Sequence, residues 1–182
     1  MKINKDEECQ RFIPEKFPQL RPAFSKTGTI TAANASKIND GAAALILMDE
    51  NLAKEKGLTP IARVLGYEDA EVEPIDFAIA PSKACQILLK KCGLTAKQID
   101  YHEINEAFSA VALANMKLQD LDPERVNVHG GAVALGHPIG MSGARILISL
   151  LNVLKQKNGT LGMASICNGG GGASAMILER LN

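Results

Sequence analysis

Apolar residues along this chain fall into short runs separated by glycine, proline and charge. Residues 1–24 carry Pro14, Pro18 and Pro22 among charged neighbours, which predicts an extended arm outside any core. A loop of small residues, "TGTITAANASKINDG" (27–41), leads into "AAALILMD" (42–49), whose unbroken apolar character predicts a buried strand. "ENLAKEKGL" then reads as a helix stopped by Gly57, and "PIARVLGYEDAEV" (60–72) as a strand. "PSKACQILLKKCGL" (81–94) repeats apolar residues at helical spacing up to Gly93. A short strand "IDYHEIN" (99–105), a helix "EAFSAVALANMKLQ" (106–119) and another short strand "RVNVHGG" (125–131) follow. "SGARILISLLNVLKQKNG" (142–159) is apolar on most faces and predicts a buried central helix. "TLGMASIC" and "ASAMILERL" flank four glycines as the strands of a hairpin. Strands alternating with helices predict a layered α/β sheet in one domain.

Charge and composition narrow the classes. Lys plus Arg and Asp plus Glu both number 20, so no net basic field draws the chain to nucleic acid. Aromatic residues are few, which argues against base stacking. No apolar run has the length of a membrane span. The start, "MKINKDEECQ", lacks a signal-peptide h-region and is too acidic for a transit peptide. Cys9, Cys85, Cys92 and Cys167 form no CxxC pair, and the expected state is reduced thiols in an intracellular compartment. His102, His129 and His137 sit at no zinc-ligand spacing.

Three places could carry chemistry, each at a strand end, where ligands gather in open α/β sheets. Asn105 precedes a helix, and it reads equally as an N-cap. His137 lies in "GGAVALGHPIGMSGAR" (130–145), where glycines permit close backbone approach and a helix beginning near Ser142 points its N-terminus at the loop. The other reading of His137 is a structural hydrogen-bond partner. Cys167 opens "CNGGGGASAM" (167–176): either a buried strand cysteine before a loose turn, or a thiol beside free backbone donors. Together a His, a Cys, a side-chain amide and backbone N–H groups suit acyl transfer or chemistry α to a carbonyl.

"NEAF" (105–108), "GGAVALGHPIGMSGAR" and "CNGGGGASAM" resemble the three C-terminal signatures of the thiolases. "TAANASKINDGAAALILM" (31–48) is similar to the start of that family's C-terminal domain, and "EVEPIDFAIAP" (71–81) resembles its mitochondrial, potassium-activated branch. The resemblance covers essentially the whole chain. It implies an α/β fold, the layered α-β-α arrangement with a mixed sheet that forms the C-terminal half of the thiolase fold. Residues 1–26 would be an arm from the family's loop region, and 27–182 the domain. The implied activity is condensation of two acetyl-CoA to acetoacetyl-CoA and CoA, or the reverse thiolysis.

By that resemblance His137 activates the nucleophile and helps form an oxyanion hole, for which Asn105 holds a water. Cys167 takes the α-proton of the second acetyl-CoA, and the N–H of Gly169 donates to the second oxyanion hole. Ser36 contacts the pantetheine arm, Phe108 walls the tunnel, and Arg11 and Lys16 hold the CoA nucleotide. After Arg11 the family usually has Val-Asp, where this chain has Phe12 and Ile13. An apolar Ile at an acidic position changes part of the adenine contact. The backbone carbonyls of Ala32, Ala33, Ala35 and Val133 match potassium ligands. The implied compartment is mitochondrial, otherwise cytoplasmic.

One family element does not occur. The nucleophilic cysteine of a thiolase stands in a Cys-x-Ser-Gly context, and no such segment is present. The expectation is a C-terminal half, inactive alone, that pairs with an N-terminal thiolase half or a second copy, most simply as a homo-oligomer. The alternative is a thiolase-like half that binds CoA or a partner chain without catalysis.

Overall fold

The computed structural model describes residues 2, 4–6 and 11–181. Cys9 and its neighbours in the arm lie outside them. The arm is not extended throughout: Pro14–Gln19 is a 3-10 turn, which prolines at its first position and inside it still permit.

Four strands form one mixed sheet, in the order β1-β4-β3-β2. β1 is Ala62–Glu71, β2 Tyr101–Ile104, β3 Leu161–Cys167 and β4 Gly172–Arg180. β3 and β4 are the expected antiparallel hairpin, β1 pairs antiparallel with β4, and β2 runs parallel to β3. The helices are α1 Glu50–Glu55, α2 Ala80–Cys92, α3 Ser109–Gln119, α4 Ala132–Leu135 and α5 Ser142–Gln156. A short 3-10 helix, Pro74–Ile79, leads into α2.

α2 lays Ala84, Cys85 and Leu88 against Met163, Ala175 and Ile177 on one face of the sheet. α3 shares that layer, joined to α2 by Asn115 Oδ1, which accepts from the Ser82 N–H (2.8 Å) and hydroxyl (2.6 Å). On the other face α5 sets Ile146, Leu150 and Leu154 against Ala164 and Leu178. The α-β-α layering therefore holds. α5 is less enclosed than its composition suggests. Ile146, Leu150, Val153 and Leu154 are buried, while Leu147, Ile148 and Leu151 are only partly so, because one sheet face covers one helix face.

Three sequence expectations are corrected. Residues 42–49 form no strand. Ile46 is 91% exposed and Leu47 72%, and no described strand pairs with them. An apolar run becomes a strand only when a neighbour supplies its hydrogen bonds. The segment 125–131 is not a strand either. Val126 makes one isolated bridge to His102, and the Asn127 carboxamide takes over from there. Its Oδ1 accepts from the Ile104 N–H (2.8 Å) and its Nδ2 donates to the Ile104 carbonyl (2.9 Å), as a strand's peptide group would. Lastly, α3 starts three residues late, since 106–108 serve a loop.

β2 buries two ionisable neighbours, His102 (4% exposed) and Glu103 (1% exposed). Burial, with Arg125 nearby, pushes His102 from its ordinary 6.5 down to about 4. Burial pushes Glu103 from 4.5 up to about 7, against the pull of Arg145. The signs oppose. His102 stabilises the fold above pH 6.5 and loses that contribution as pH falls towards 4. Glu103 stabilises it below pH 4.5 and loses its contribution as pH rises through 7. Each arm is on the order of 3 kcal/mol. Urea unfolding across pH 4.5–6.5 should show Glu103→Gln gaining stability as pH rises and His102→Gln losing it. Parallel slopes in the two variants would contradict this account.

Candidate active site

β2 and β3 run parallel and end side by side, with Ile104 opposite Ser165. The Asn105 N–H donates to the Ser165 carbonyl at 2.9 Å, so Asn105 is fixed at the carboxyl edge of the sheet and is fully buried. Cys167 ends β3 two residues after Ser165, on the same edge. It packs against the cluster of Ile104, Val111 and Val126 beneath α3, as Ala107 and Phe108 also do.

His137 reaches this edge from a different part of the chain. Gly136 has φ +97°, a conformation that L side chains rarely adopt, and this turns the chain out of α4. The Pro138 carbonyl then accepts from the Met141 N–H at 2.8 Å and the Ser142 N–H at 2.9 Å, leading into α5. His137 Nε2 lies 3.3 Å from Asn105 Nδ2, and its Nδ1 lies 2.6 Å from Ser142 Oγ. Among the described residues no hydrogen bond joins His137 to Cys167. Asn105 stands between them, touching His137 by its side chain and β3 by its backbone.

A third segment ties these loops together. Ala35 makes an antiparallel bridge to Phe108, and Ile38 a parallel bridge to His137. The Ser36 N–H donates to the Ala107 carbonyl (2.9 Å), and the His137 N–H to the Lys37 carbonyl (2.8 Å). Ser36 thus sits between the Asn105 and His137 loops. Phe108 packs edge-on against Phe24 (5.6 Å) and Phe77 (6.5 Å). Ala32 and Ala33 lie in a turn held by Thr31 and Asn34, and the Val133 N–H donates to Glu106 Oε2 at 3.0 Å. Lys16 is exposed on the Pro14–Gln19 turn, and Arg11 is exposed in the arm before it.

The glycine run is a tight turn organised by Asn168, whose Oδ1 accepts from the Gly170 N–H (3.0 Å) and more distantly from that of Gly172 (3.4 Å). Gly171 is required by its own geometry: φ is +91°, and a Cβ there would meet the Val72 carbonyl. Gly169 differs. A Cβ there would meet open space, and its N–H makes none of the turn's hydrogen bonds. The crowding the run relieves inside the chain is at Gly171, against backbone, and at Gly172, against the Asn168 side chain. At Gly169 it leaves a donor and room.

Burial lowers the His137 pKa, with the Arg145 charge acting in the same direction, so its ring is neutral at pH 7. Burial raises the Cys167 pKa and keeps it a thiol. Two groups that sequence reasoning passed over complete the surroundings. Arg145 Nη1 lies 3.4 Å from Glu103 Oε2, and its Nη2 lies 3.4 Å from Asn105 Oδ1. Arg145 heads the apolar run "ILISLL", a faint signal, while Glu103 sits among Asp100, His102 and Glu106 and carries none.

Gly136→Ala tests the turn that presents His137. The added methyl would collide with the Asn39 side chain in a backbone region costly for alanine. The expected loss is about 1–3 kcal/mol in chemical unfolding, with His137 resonances displaced. An unchanged stability and spectrum would mean that the turn is not constrained.

Comparisons with known proteins follow from this arrangement. The family model "Thiolase, C-terminal domain" matches residues 58–180, and "Thiolase, N-terminal domain" matches residues 1–51. The chain is 56% identical to the mitochondrial acetyl-CoA acetyltransferase of Homo sapiens over 98% of its own length, and 54% identical to a cytosolic acetyl-CoA acetyltransferase of Gibberella zeae over 100%. It spans 42% and 46% of those proteins, less than half of each. Its structure superposes on an Ascaris suum thiolase solved with coenzyme A (TM-score 0.92, 56% identity, 98% of this chain and 47% of that one). It also superposes on the human mitochondrial 3-ketoacyl-CoA thiolase (TM-score 0.91, 41% identity, 94% and 44%). A mixed sheet that brings the Asn105, His137 and Cys167 loops to one edge, and a family model spanning most of it, lead to one conclusion: the chain belongs to the thiolase family.

Proposed function

We propose that this chain carries the acid/base half of a thiolase site and acts on acetyl-CoA and acetoacetyl-CoA. The observation that carries the reading is the 3.3 Å approach of Asn105 and His137, brought together from loops 32 residues apart. The neutral His137 ring can accept a proton from a thiol, which is how a nucleophilic cysteine is activated. Asn105 would hold a water to complete an oxyanion hole with His137, and the unused N–H of Gly169 would donate to a second oxyanion.

The raised pKa of Cys167 suits its part. In thiolysis the Cα–Cβ bond of acetoacetyl-CoA breaks, the acyl group passes to the nucleophile, and the leaving acetyl-CoA enolate takes a proton at Cα. Cys167 supplies that proton. In condensation Cys167 first gives its proton to the CoA sulfur that leaves as the nucleophile is acylated. Its thiolate then removes a Cα proton from acetyl-CoA, and the enolate attacks the acyl-enzyme carbonyl and expels the nucleophile's sulfur, which takes its proton back from His137. Ser36 would contact the pantetheine arm, Phe108 would wall the channel, and Arg11 and Lys16 would meet the nucleotide phosphates. A potassium ion fits the neutral carbonyl donors of Ala32, Ala33, Ala35 and Val133, since a hard cation takes oxygen ligands whatever the side chain. Bound there, it would order the loops beside Ser36 and Glu106. This potassium-activated, mitochondrial reading rests on the Glu71–Pro81 stretch.

None of the four cysteines stands in the acyl acceptor's context, since no Cys-x-Ser-Gly segment occurs among the 182 residues. A second surface points to where the acceptor would come from. The exposed run 42–49 falls inside the stretch matched by the N-terminal domain family model, not the C-terminal one. The partly exposed flank of α5 lies beside a groove lined by Tyr67, Leu147, Ile166 and Met176. These apolar surfaces would be covered by an N-terminal thiolase half or by a second copy of this chain.

Two outcomes are expected. The chain alone should give no thiolysis of acetoacetyl-CoA above background, and turnover should appear on adding a polypeptide with the N-terminal thiolase domain and vanish again in Cys167→Ala or His137→Ala. Turnover by the chain alone, after removal of full-length thiolase, would overturn the reading. CoA binding without recovered turnover would favour the binding-only alternative. Light scattering on the isolated chain at tens of micromolar should report a dimer or larger species; a stable monomer would contradict the proposed covering of these surfaces.

A further inference from the structure

Arg145 and Ser142 stand three residues apart on the first turn of α5, so their side chains lie on one face. One reaches Asn105 and the other reaches His137. We propose that this single helical turn, with Glu103 as its anchor, fixes His137 as the Nδ1–H tautomer with an unprotonated Nε2, and that Arg145 and Glu103 are positioning residues for the site.

The argument uses donor and acceptor chemistry alone. A guanidinium donates and never accepts. Arg145 Nη2 therefore turns the Asn105 carboxamide so that Oδ1 faces it, at 3.4 Å. The amide then has only Nδ2 to present to His137, and Nδ2 also only donates. At 3.3 Å from it, His137 Nε2 must be the acceptor and carry no proton. In a neutral ring the proton then sits on Nδ1.

The other end of the ring gives the same answer independently. Ser142 has one hydroxyl proton, which it donates to the Pro138 carbonyl at 3.0 Å. Its oxygen is left to accept from Nδ1–H, at 2.6 Å. Two chains of donors, one starting at Arg145 and one ending at Pro138, agree on one tautomer. The Asn105 contact is long, so a stronger acid can displace it from Nε2.

Arg145 must itself be held. It is 13% exposed, and its fork reaches Glu103 Oε2 (3.4 Å), Ser149 Oγ (3.5 Å) and Asn105 Oδ1 together. A lysine has no planar fork with which to bridge these acceptors. Glu103 is buried in β2, two residues before Asn105, so the carboxylate anchors the guanidinium to the strand that leads to its target.

A use for the free Nε2, as the group that takes a thiol proton, rests on the proposed function; the tautomer does not. The test is therefore spectroscopic and needs no turnover. The chain is labelled with 15N-histidine and read at about pH 8, where the ring is neutral. His137→Gln assigns its two ring nitrogens among the three histidines. Nδ1 is expected in the protonated region and Nε2 in the unprotonated one; the reverse pattern in the wild-type chain overturns the proposal without any variant. In Arg145→Met the amide is free to rotate, and both ring resonances should move towards each other. Unchanged resonances in a folded Arg145→Met chain overturn the role of Arg145. Asn105→Asp places an oxygen against Nε2 and should shift its resonance into the protonated region. An Nε2 that stays unprotonated there would show that the Asn105 side chain does not set the tautomer.

Discussion

The buried contact of Arg145 with Glu103 constrains more of this molecule than any other pair. It pins the first turn of α5 to β2, and with it the loop carrying His137, because Ser142 sits on that same turn. The pair is a poor source of stability by itself. Both groups lose hydration, Glu103 Oε1 and Arg145 Nε have no partner, and such pairs rarely exceed the cost of their desolvation. What the arrangement supplies is orientation. Asn105, fully buried, has an amide that could point either way, and only a donor-only neighbour decides which.

The apolar packing works to the same end. Ile146, Leu150 and Leu154 hold α5 against β3, and Leu88 and Ala84 hold α2 against the opposite face. The sheet between them is rigid where β2 and β3 end in register. Sites built on such strand ends are positioned more sharply than sites on loops. The loops here gain rigidity from each other instead, through the bridges of Ala35 to Phe108 and Ile38 to His137. Residues 34–38 therefore act as a strap across two loops that are also joined by the Val133 N–H bond to Glu106.

Much of this was legible in the sequence. Strands β1, β3 and β4 and helices α2 and α5 follow from apolar spacing and glycine stops, because their burial partners lie within the chain. The motif resemblance located Asn105, His137 and Cys167, and the structure sets all three at the carboxyl edge of β2 and β3. Residues 42–49 misled for a physical reason: periodicity records that a segment is fit for burial, not that its partner is present. Residues 125–131 misled differently, since Asn127 replaces a strand's peptide group with a side chain, a substitution no hydropathy pattern reveals. Arg145 and Glu103 were hidden because each looks like an ordinary surface charge until the fold buries both.

The division of the molecule into finished and unfinished surfaces follows from these contacts. Asn105 and His137 are oriented by residues of this chain, through bonds whose two ends both lie within it. The opposite holds for Ile46 and Leu47, which together would gain about 3–6 kcal/mol on full burial and stand largely exposed. That exposed segment lies within the match to the N-terminal family model, and it is the surface the proposed N-terminal half or second copy would cover. Orientation of the proton-transfer groups and assembly of the complete site are thus separable. The first is a local matter of donors and acceptors around α5. The second, on the proposed function, depends on the apolar surface exposed at residues 42–49, so an assembly defect and a tautomer defect would leave different signatures in the same chain.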